Sequence, residues 1–218
     1  MAKRFELIVF DWDGTLMDST GAIVASIQAA ARDLDIPPPS DERASHIIGL
    51  GLIDALRHAL PDLPTERYHA VAERYRHHYL AQDQDLLLFD GAVELIDELT
   101  AAGHMLAVAT GKTRKGLDRA FEVSGLGPRF QASRCADECH SKPHPQMLEE
   151  LMAEFGVEPE ATLMIGDTTH DLLMARNAGV AALGVAYGAH PRESLEAETQ
   201  LYCAANVAEL AAWLRQQA

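Results

Sequence analysis

The sequence predicts an α/β fold: a doubly wound parallel sheet with a small all-helical domain inserted after the first strand. Three observations carry this expectation. Short apolar runs bounded by turn residues recur at residues 7–10, 106–109 and 163–165, as in strands buried on both faces. From about Leu86 onward such runs alternate with helix-period segments, the pattern of parallel strands joined by right-handed crossovers. Between the first run and Leu86 the periodicity is helical and no segment reads as a strand.

Leu7-Ile8-Val9-Phe10 forms the first strand and runs into Asp11. Asp18-Ser19-Thr20 offers an N-cap for a helix whose apolar stripe is Ile23, Ile27, Ala30, Ala31 and Leu34. Pro37, Pro38 and Pro39 break that helix, and a second helical region starts near Asp41. Gly49-Leu50-Gly51-Leu52 interrupts it, and Pro61 and Pro64 mark a turn before a polar helix over 65–82. A helix over 91–102, the strand ending at Thr110, a helix over 113–124 and a short strand over 130–133 follow. Ser141-Lys142-Pro143-His144-Pro145 then opens a helix reaching 155, with Pro143 preorganising its first turn. A strand ending at Asp167, a helix to 178, an apolar run over 180–186, a weak strand near Leu201 and a final helix from Asn206 complete the chain. The expected division is 1–15 with 84–218 for the α/β core and 16–83 for the helical insertion.

The 218 residues carry 18 Lys plus Arg against 33 Asp plus Glu, a net charge of −15. Such an acidic chain argues against nucleic acid or an anionic membrane as partner, and an anionic substrate would need a local positive patch or a metal. The three cysteines (Cys135, Cys139, Cys203) form no disulfide framework, and Cys135-x-x-x-Cys139-His140 lacks the second pair that a zinc site needs. The first apolar run stops too early for a signal peptide, and no run approaches a membrane span. The expected location is cytoplasmic; oligomeric state is not legible.

Candidate chemistry sits where apolar runs end. Asp-x-Asp occurs as Asp11/Asp13, Asp33/Asp35 and Asp83/Asp85. The latter two lie in polar contexts and read as solvated. Asp11 follows a buried strand, where a carboxylate is costly unless paired or metal-bound. Thr110-Gly111-Lys112-Thr113 ends like a phosphate-binding P-loop, but Leu106 stands where that motif needs glycine. What remains is a hydroxyl and exposed backbone N–H groups at a strand-to-helix turn, suited to one phosphate. Asp167 and Asp171 lie four apart across a strand-to-helix turn and, with a third carboxylate nearby, suit Mg²⁺. Lys142 stands at the start of a helix, and His144 reads as its structural neighbour.

Taken together, Asp11-Trp12-Asp13-Gly14-Thr15, Thr110, Lys142 and Gly166-Asp167-Thr168-Thr169-His170-Asp171 resemble, in order, the motifs of the haloacid dehalogenase superfamily, and the 16–83 insertion resembles its C1-type cap. Ile48-Gly49-Leu50-Gly51-Leu52 looks like the cap substrate loop of phosphoglycolate-phosphatase-like members. The resemblance implies a phosphatase acting on a small phosphomonoester through an aspartyl-phosphate. Asp11 would be the nucleophile and Asp13 the acid and base. Thr110 and Lys142 would be catalytic and, with Gly111, Gly49, Leu50 and Gly51, would bind substrate. Mg²⁺ would be held by Asp11, the Asp13 carbonyl and Asp167, with Asp171 acting through water or by orienting Lys142. Dehalogenases and phosphonatases of the superfamily replace Asp13, which disfavours both. Thr15 favours hydrolysis over a sugar phosphomutase, inorganic pyrophosphatase activity stays open, and a non-catalytic phosphate-binding module is the alternative from another class. In the insertion, Arg43 and His46 are further candidates by position.

Overall fold

A computed structural model describes residues 4–198 and 201–218. Six parallel strands form one sheet: β1 (Leu7–Phe10), β2 (Met105–Thr110), β3 (Ala132–Cys135), β4 (Thr162–Gly166), β5 (Ala181–Val185) and β6 (Tyr202–Ala204), in the order β3-β2-β1-β4-β5-β6. The sequence order reverses at β1, which lies between β2 and β4, so a crevice opens there beyond the strand ends.

Period-two alternation explains why both faces are covered. Ile8, Phe10, Leu106, Val108, Leu163 and Ile165 enter one hydrophobic cluster, while Leu7, Val9, Ala107, Ala109 and Met164 enter the other. Helices α5 (Ala92–Ala101) and α6 (Arg114–Ser124) bring Leu95, Ile96 and Leu117 to the first cluster. Helices α7 (Gln146–Phe155) and α8 (Thr169–Asn177) bring Met147, Leu148, Leu151 and Leu172 to the second. A third cluster lies among α1 (Thr20–Asp33), α2 (Asp41–His46), α3 (Leu52–Ala59) and α4 (Tyr68–Leu80), built on the expected stripe of Ile23, Ile27, Ala30 and Ala31. The chain closes with α9 (Arg192–Glu198) and α10 (Val207–Gln217). No helix among the described residues is long and apolar enough to cross a membrane.

Several local expectations shift. Ser19 flanks α1 but makes no side-chain cap, because its hydroxyl goes to Asp13. Leu16 and Met17 belong to the sheet core rather than to the helical segment, with Met17 bridging Leu88. Phe130 precedes β3, since its ring stacks on Phe121 and meets Trp12 edge-on. Helix α7 begins at Gln146, so Pro143 lies ahead of its first turn and its carbonyl accepts from Asn177. Helix α9 is not predicted by the sequence pattern: only Leu195 is buried in it, too little for a periodic signal. Asp33 and Asp83 are not simply solvated: Asp33 pairs with Arg74 and His78, and Asp83 with Arg119.

Candidate active site

Strand register brings the chemistry together. Phe10 pairs with Val108 on one side and Ile165 on the other. Asp11, Thr110 and Asp167 therefore leave three adjacent strands at one carboxyl edge, and the Asp11 N–H donates to the Ile165 carbonyl at 2.9 Å. Asp11 and Asp167 are both 0% exposed.

Asp11 Oδ1 accepts from the Trp12 N–H at 2.6 Å and lies 3.0 Å from Lys142 Nζ. Asp11 Oδ2 is buried with no hydrogen-bond partner among the described residues. Lys142 Nζ also donates to Asp171 Oδ1 at 2.6 Å. The other Asp171 oxygen closes a capping box at the start of α8, accepting the Thr168 hydroxyl at 2.7 Å and the Thr168 N–H at 3.2 Å. Asp167 accepts from the Thr15 hydroxyl at 2.8 Å and the Ala189 N–H at 2.7 Å. Oxygens of Asp11, Asp167 and Asp171 all lie within 4.8 Å of one another.

The electrostatics follow from that crowding. Burial, with Asp171, Asp167 and Asp13 nearby, holds the Asp11 carboxyl well above the usual range, against the pull of Lys142. Burial and then Asp171 push Asp167 up to about 7. Burial opposes the charge on Lys142, yet Asp11 and Asp171 hold its ammonium above the ordinary lysine value.

Asp13 forms a neighbouring group. Its Oδ1 accepts the Ser19 hydroxyl at 2.6 Å and lies 3.0 Å from Lys112 Nζ, which also donates to the Tyr79 hydroxyl at 3.0 Å. The local sequence does not reveal this role of Lys112: its Gly-Lys-Thr setting points only to a P-loop ending. Ser19 likewise carries only the signal of a helix cap. The Thr110 hydroxyl is buried and accepts the Lys112 N–H at 3.2 Å.

The Gly49–Gly51 loop reaches this edge from the helical segment. A Cβ on Gly111 would lie 2.5 Å from the Leu50 carbonyl oxygen and 2.6 Å from that of Gly49, so the backbones touch. Gly49 has φ +90°, and a Cβ there would lie 3.7 Å from Asp11 Oδ2. The Gly51 N–H donates to the Ser141 hydroxyl at 2.9 Å. Just before the loop, the His46 carbonyl accepts from His170 Nε2 at 2.8 Å and His190 Nε2 at 3.0 Å. The His46 and His190 rings stack 4.8 Å apart. His46 thus meets the core through its carbonyl and ring, while Arg43 is exposed on α2. His144 accepts the Gln146 N–H, a structural contact as expected.

Fold and site together define an α/β protein with an acidic, lysine-bridged centre at the switch point of a parallel sheet. A family model described as haloacid dehalogenase-like hydrolase matches residues 8–185, and the chain belongs to that family. It is 39% identical over 197 residues to the probable phosphatase IndB of Dickeya dadantii, covering 88% of this chain and 85% of that protein. It is 32% identical over 213 residues to a 5'-nucleotidase of Pseudomonas aeruginosa, covering 96% and 95% of the two chains. Among solved structures, that of a predicted phosphoglycolate phosphatase from Haemophilus somnus 129Pt superposes with TM-score 0.86 at 25% identity, covering 96% of this chain and 98% of the other.

Proposed function

We propose that the protein is a Mg²⁺-dependent phosphatase that hydrolyses a small phosphomonoester through an aspartyl-phosphate on Asp11. The observation that best supports this reading is the asymmetry of Asp11: one oxygen is fixed by Trp12 and Lys142, while the other is buried and bare. An unsatisfied buried polar atom costs about 1–3 kcal/mol or more, which is offset when a ligand atom meets it. Three buried carboxylates here face one buried ammonium, Lys142, an excess of negative charge that suits a hard dication. Asp11, Asp167 and the main-chain carbonyl of Asp13 would hold the ion; Asp171 accepts from Lys142 Nζ at 2.6 Å, so Asp171 would act by orienting that ammonium. When bound, Mg²⁺ supplies charge neutralisation for the phosphoryl oxygens.

An Asp11 oxygen attacks phosphorus in line, the bond to the leaving oxygen breaks, and Asp13 gives that oxygen a proton. Asp13 then takes a proton from water, whose oxygen attacks the phosphoryl group, releasing inorganic phosphate and restoring Asp11. Two like unit charges about 4 Å apart repel by roughly 4 kcal/mol at an effective dielectric of 20, so Lys142 beside Asp11 lowers the barrier to approach. Thr110, the Gly111 N–H and Lys142 hold the phosphoryl oxygens, while Ser19 and Lys112 position the Asp13 carboxyl. The helical segment from α1 to α4 acts as a cap that presents Gly49, Leu50 and Gly51. Because Asp11 is fully buried, substrate enters when this loop withdraws, and its return excludes water. Names of relatives leave phosphoglycolate and a nucleotide as reference substrates.

The test is phosphate release from a panel of phosphomonoesters and pyrophosphate, with and without Mg²⁺, alongside Asp11→Asn. Release from esters by the native protein alone, and only with Mg²⁺, is expected. No release from any substrate, or equal release by the variant, sinks the reading. Release confined to pyrophosphate selects a pyrophosphatase, and isomerisation without net release a mutase.

A further inference from the structure

Beside Asp13 the structure holds a cavity of about 620 Å³, bounded by the cap helices on one side and by the Gly111–Arg119 segment on the other. Pockets that take drug-sized ligands enclose roughly 300–1,000 Å³, far more than a glycolate or phosphate leaving group fills. Asp13 and Lys112 contribute its polar end. Its wall over the cap is Ile23, Ile27, Leu52 and Ala55, joined by Tyr75 and Tyr79.

From this cavity we infer that the leaving alcohol of the natural substrate is neutral, ring-bearing and of nucleoside size, an inference that rests on the phosphatase reading above. The charges around the cavity argue against an anionic leaving group. Four cations line it: Lys112, Arg119, Arg76 and Lys115. Lys112 is already engaged by Asp13 and the Tyr79 hydroxyl, and Arg119 is paired with Asp83. Arg76 and Lys115 are exposed, and Asp118 and Glu122 add negative charge to the same lining. A second carboxylate or phosphate placed there would be desolvated without a free buried counter-ion, which is expensive.

The tyrosines argue for a ring. Tyr75 and Tyr79 stack with centroids 5.7 Å apart, giving the aliphatic chamber one flat, polarisable side. The Tyr79 hydroxyl is engaged by Lys112, whereas the Tyr75 hydroxyl has no hydrogen-bond partner among the described residues. An apolar wall with a single unengaged hydroxyl suits a ring whose faces are apolar and whose edge carries a heteroatom.

The experiment compares kcat/KM with Mg²⁺ for adenosine 5'-monophosphate, 1-naphthyl phosphate, phosphoglycolate and pyrophosphate. It uses the native chain, Ala55→Trp, which fills the chamber, and Tyr75→Phe, which removes one hydroxyl. The ring-bearing esters are expected to exceed phosphoglycolate and pyrophosphate by at least about tenfold, and Ala55→Trp to cut that ratio by at least about tenfold, chiefly through KM. Tyr75→Phe is expected to raise KM for the adenosine ester more than for the naphthyl ester, which lacks a polar edge. If Ala55→Trp does not fold, Tyr75→Phe and the native preference decide. Release that favours phosphoglycolate or pyrophosphate overturns the inference and leaves the phosphatase reading standing. Ratios that neither variant moves overturn it as well, and absence of release from every ester overturns both.

Discussion

Lys142 keeps its charge where water does not reach: it is 2% exposed and touches Asp11 and Asp171. Removing one partner of a buried ion pair typically costs about 3–5 kcal/mol, because the remaining charges stay buried and uncompensated. Lys142→Met is therefore expected to lose about that much stability in metal-free urea unfolding, and to regain more on adding Mg²⁺ than the native chain gains. Equal recovery in both proteins would contradict the shared-charge account. Gly111 acts by the absence of a side chain. A Cβ there meets two loop carbonyls at 2.5 and 2.6 Å, so Gly111→Ala must push the Gly49–Leu50 loop outward. Misplacement of about 1 Å can cost on the order of a hundredfold in rate. A fall of at least about tenfold in kcat/KM, with little change in unfolding midpoint, is expected. At this scale Asp11 and Asp167 were legible because each follows an apolar strand. Lys112 was not, because nothing in its local sequence says that Asp13 lies 3.0 Å away.

Among elements, the joint between α2 and the start of α8 sets the position of the loop. His190 is 3% exposed and bridges the two sides: its Nδ1 accepts the Thr169 N–H at 3.1 Å, and its Nε2 faces the His46 carbonyl at 3.0 Å. This arrangement requires the neutral Nε2–H tautomer, since a proton on Nδ1 would face a donor. Burial accordingly lowers its pKa from 6.5 to about 4, with the His170 and His46 rings adding to the effect. The native state then binds fewer protons than the unfolded chain. Its contribution to stability is complete above pH 6.5 and is lost as pH falls toward about 4. At pH 5 the loss is on the order of 2 kcal/mol. Denaturant midpoints at pH 7 and pH 5 test this: His190→Gln should be less stable at pH 7, yet lose less on acidification than the native chain. An identical loss in both would remove His190 from the account. The sequence placed α2 and α8 well, but could not reveal that His170 and His190 both meet the carbonyl of the distant His46.

For the whole molecule, the two sheet-face clusters and the separate cluster among α1 to α4 divide the apolar side chains among three cores. The carboxylate centre lies at the edge of the sheet cores, so a ligand bound there stabilises the folded state by mass action. Free Mg²⁺ at a hundred times its dissociation constant is expected to add about 2.7 kcal/mol to unfolding free energy. Asp167→Asn, which keeps the side-chain volume and removes one charge, should lose most of that increment while remaining folded. Calorimetric melting at several Mg²⁺ concentrations checks this, and an undiminished shift in the variant would count against Asp167 as a ligand.

The unbroken apolar character of each short run, and the turn residues that end it, determined the parallel strands and the carboxylates just beyond them, because both signals act within a few residues. The apolar stripe at Ile23, Ile27, Ala30 and Ala31 determined the helical insertion for the same reason. Tertiary structure alone decided which strand ends are neighbours, that Lys142 reaches Asp11 from 131 positions away, and that Asp13 is held by Ser19 and Lys112. It also decided the size and neutrality of the cavity beside Asp13, since a cavity lies between elements and no segment carries its shape.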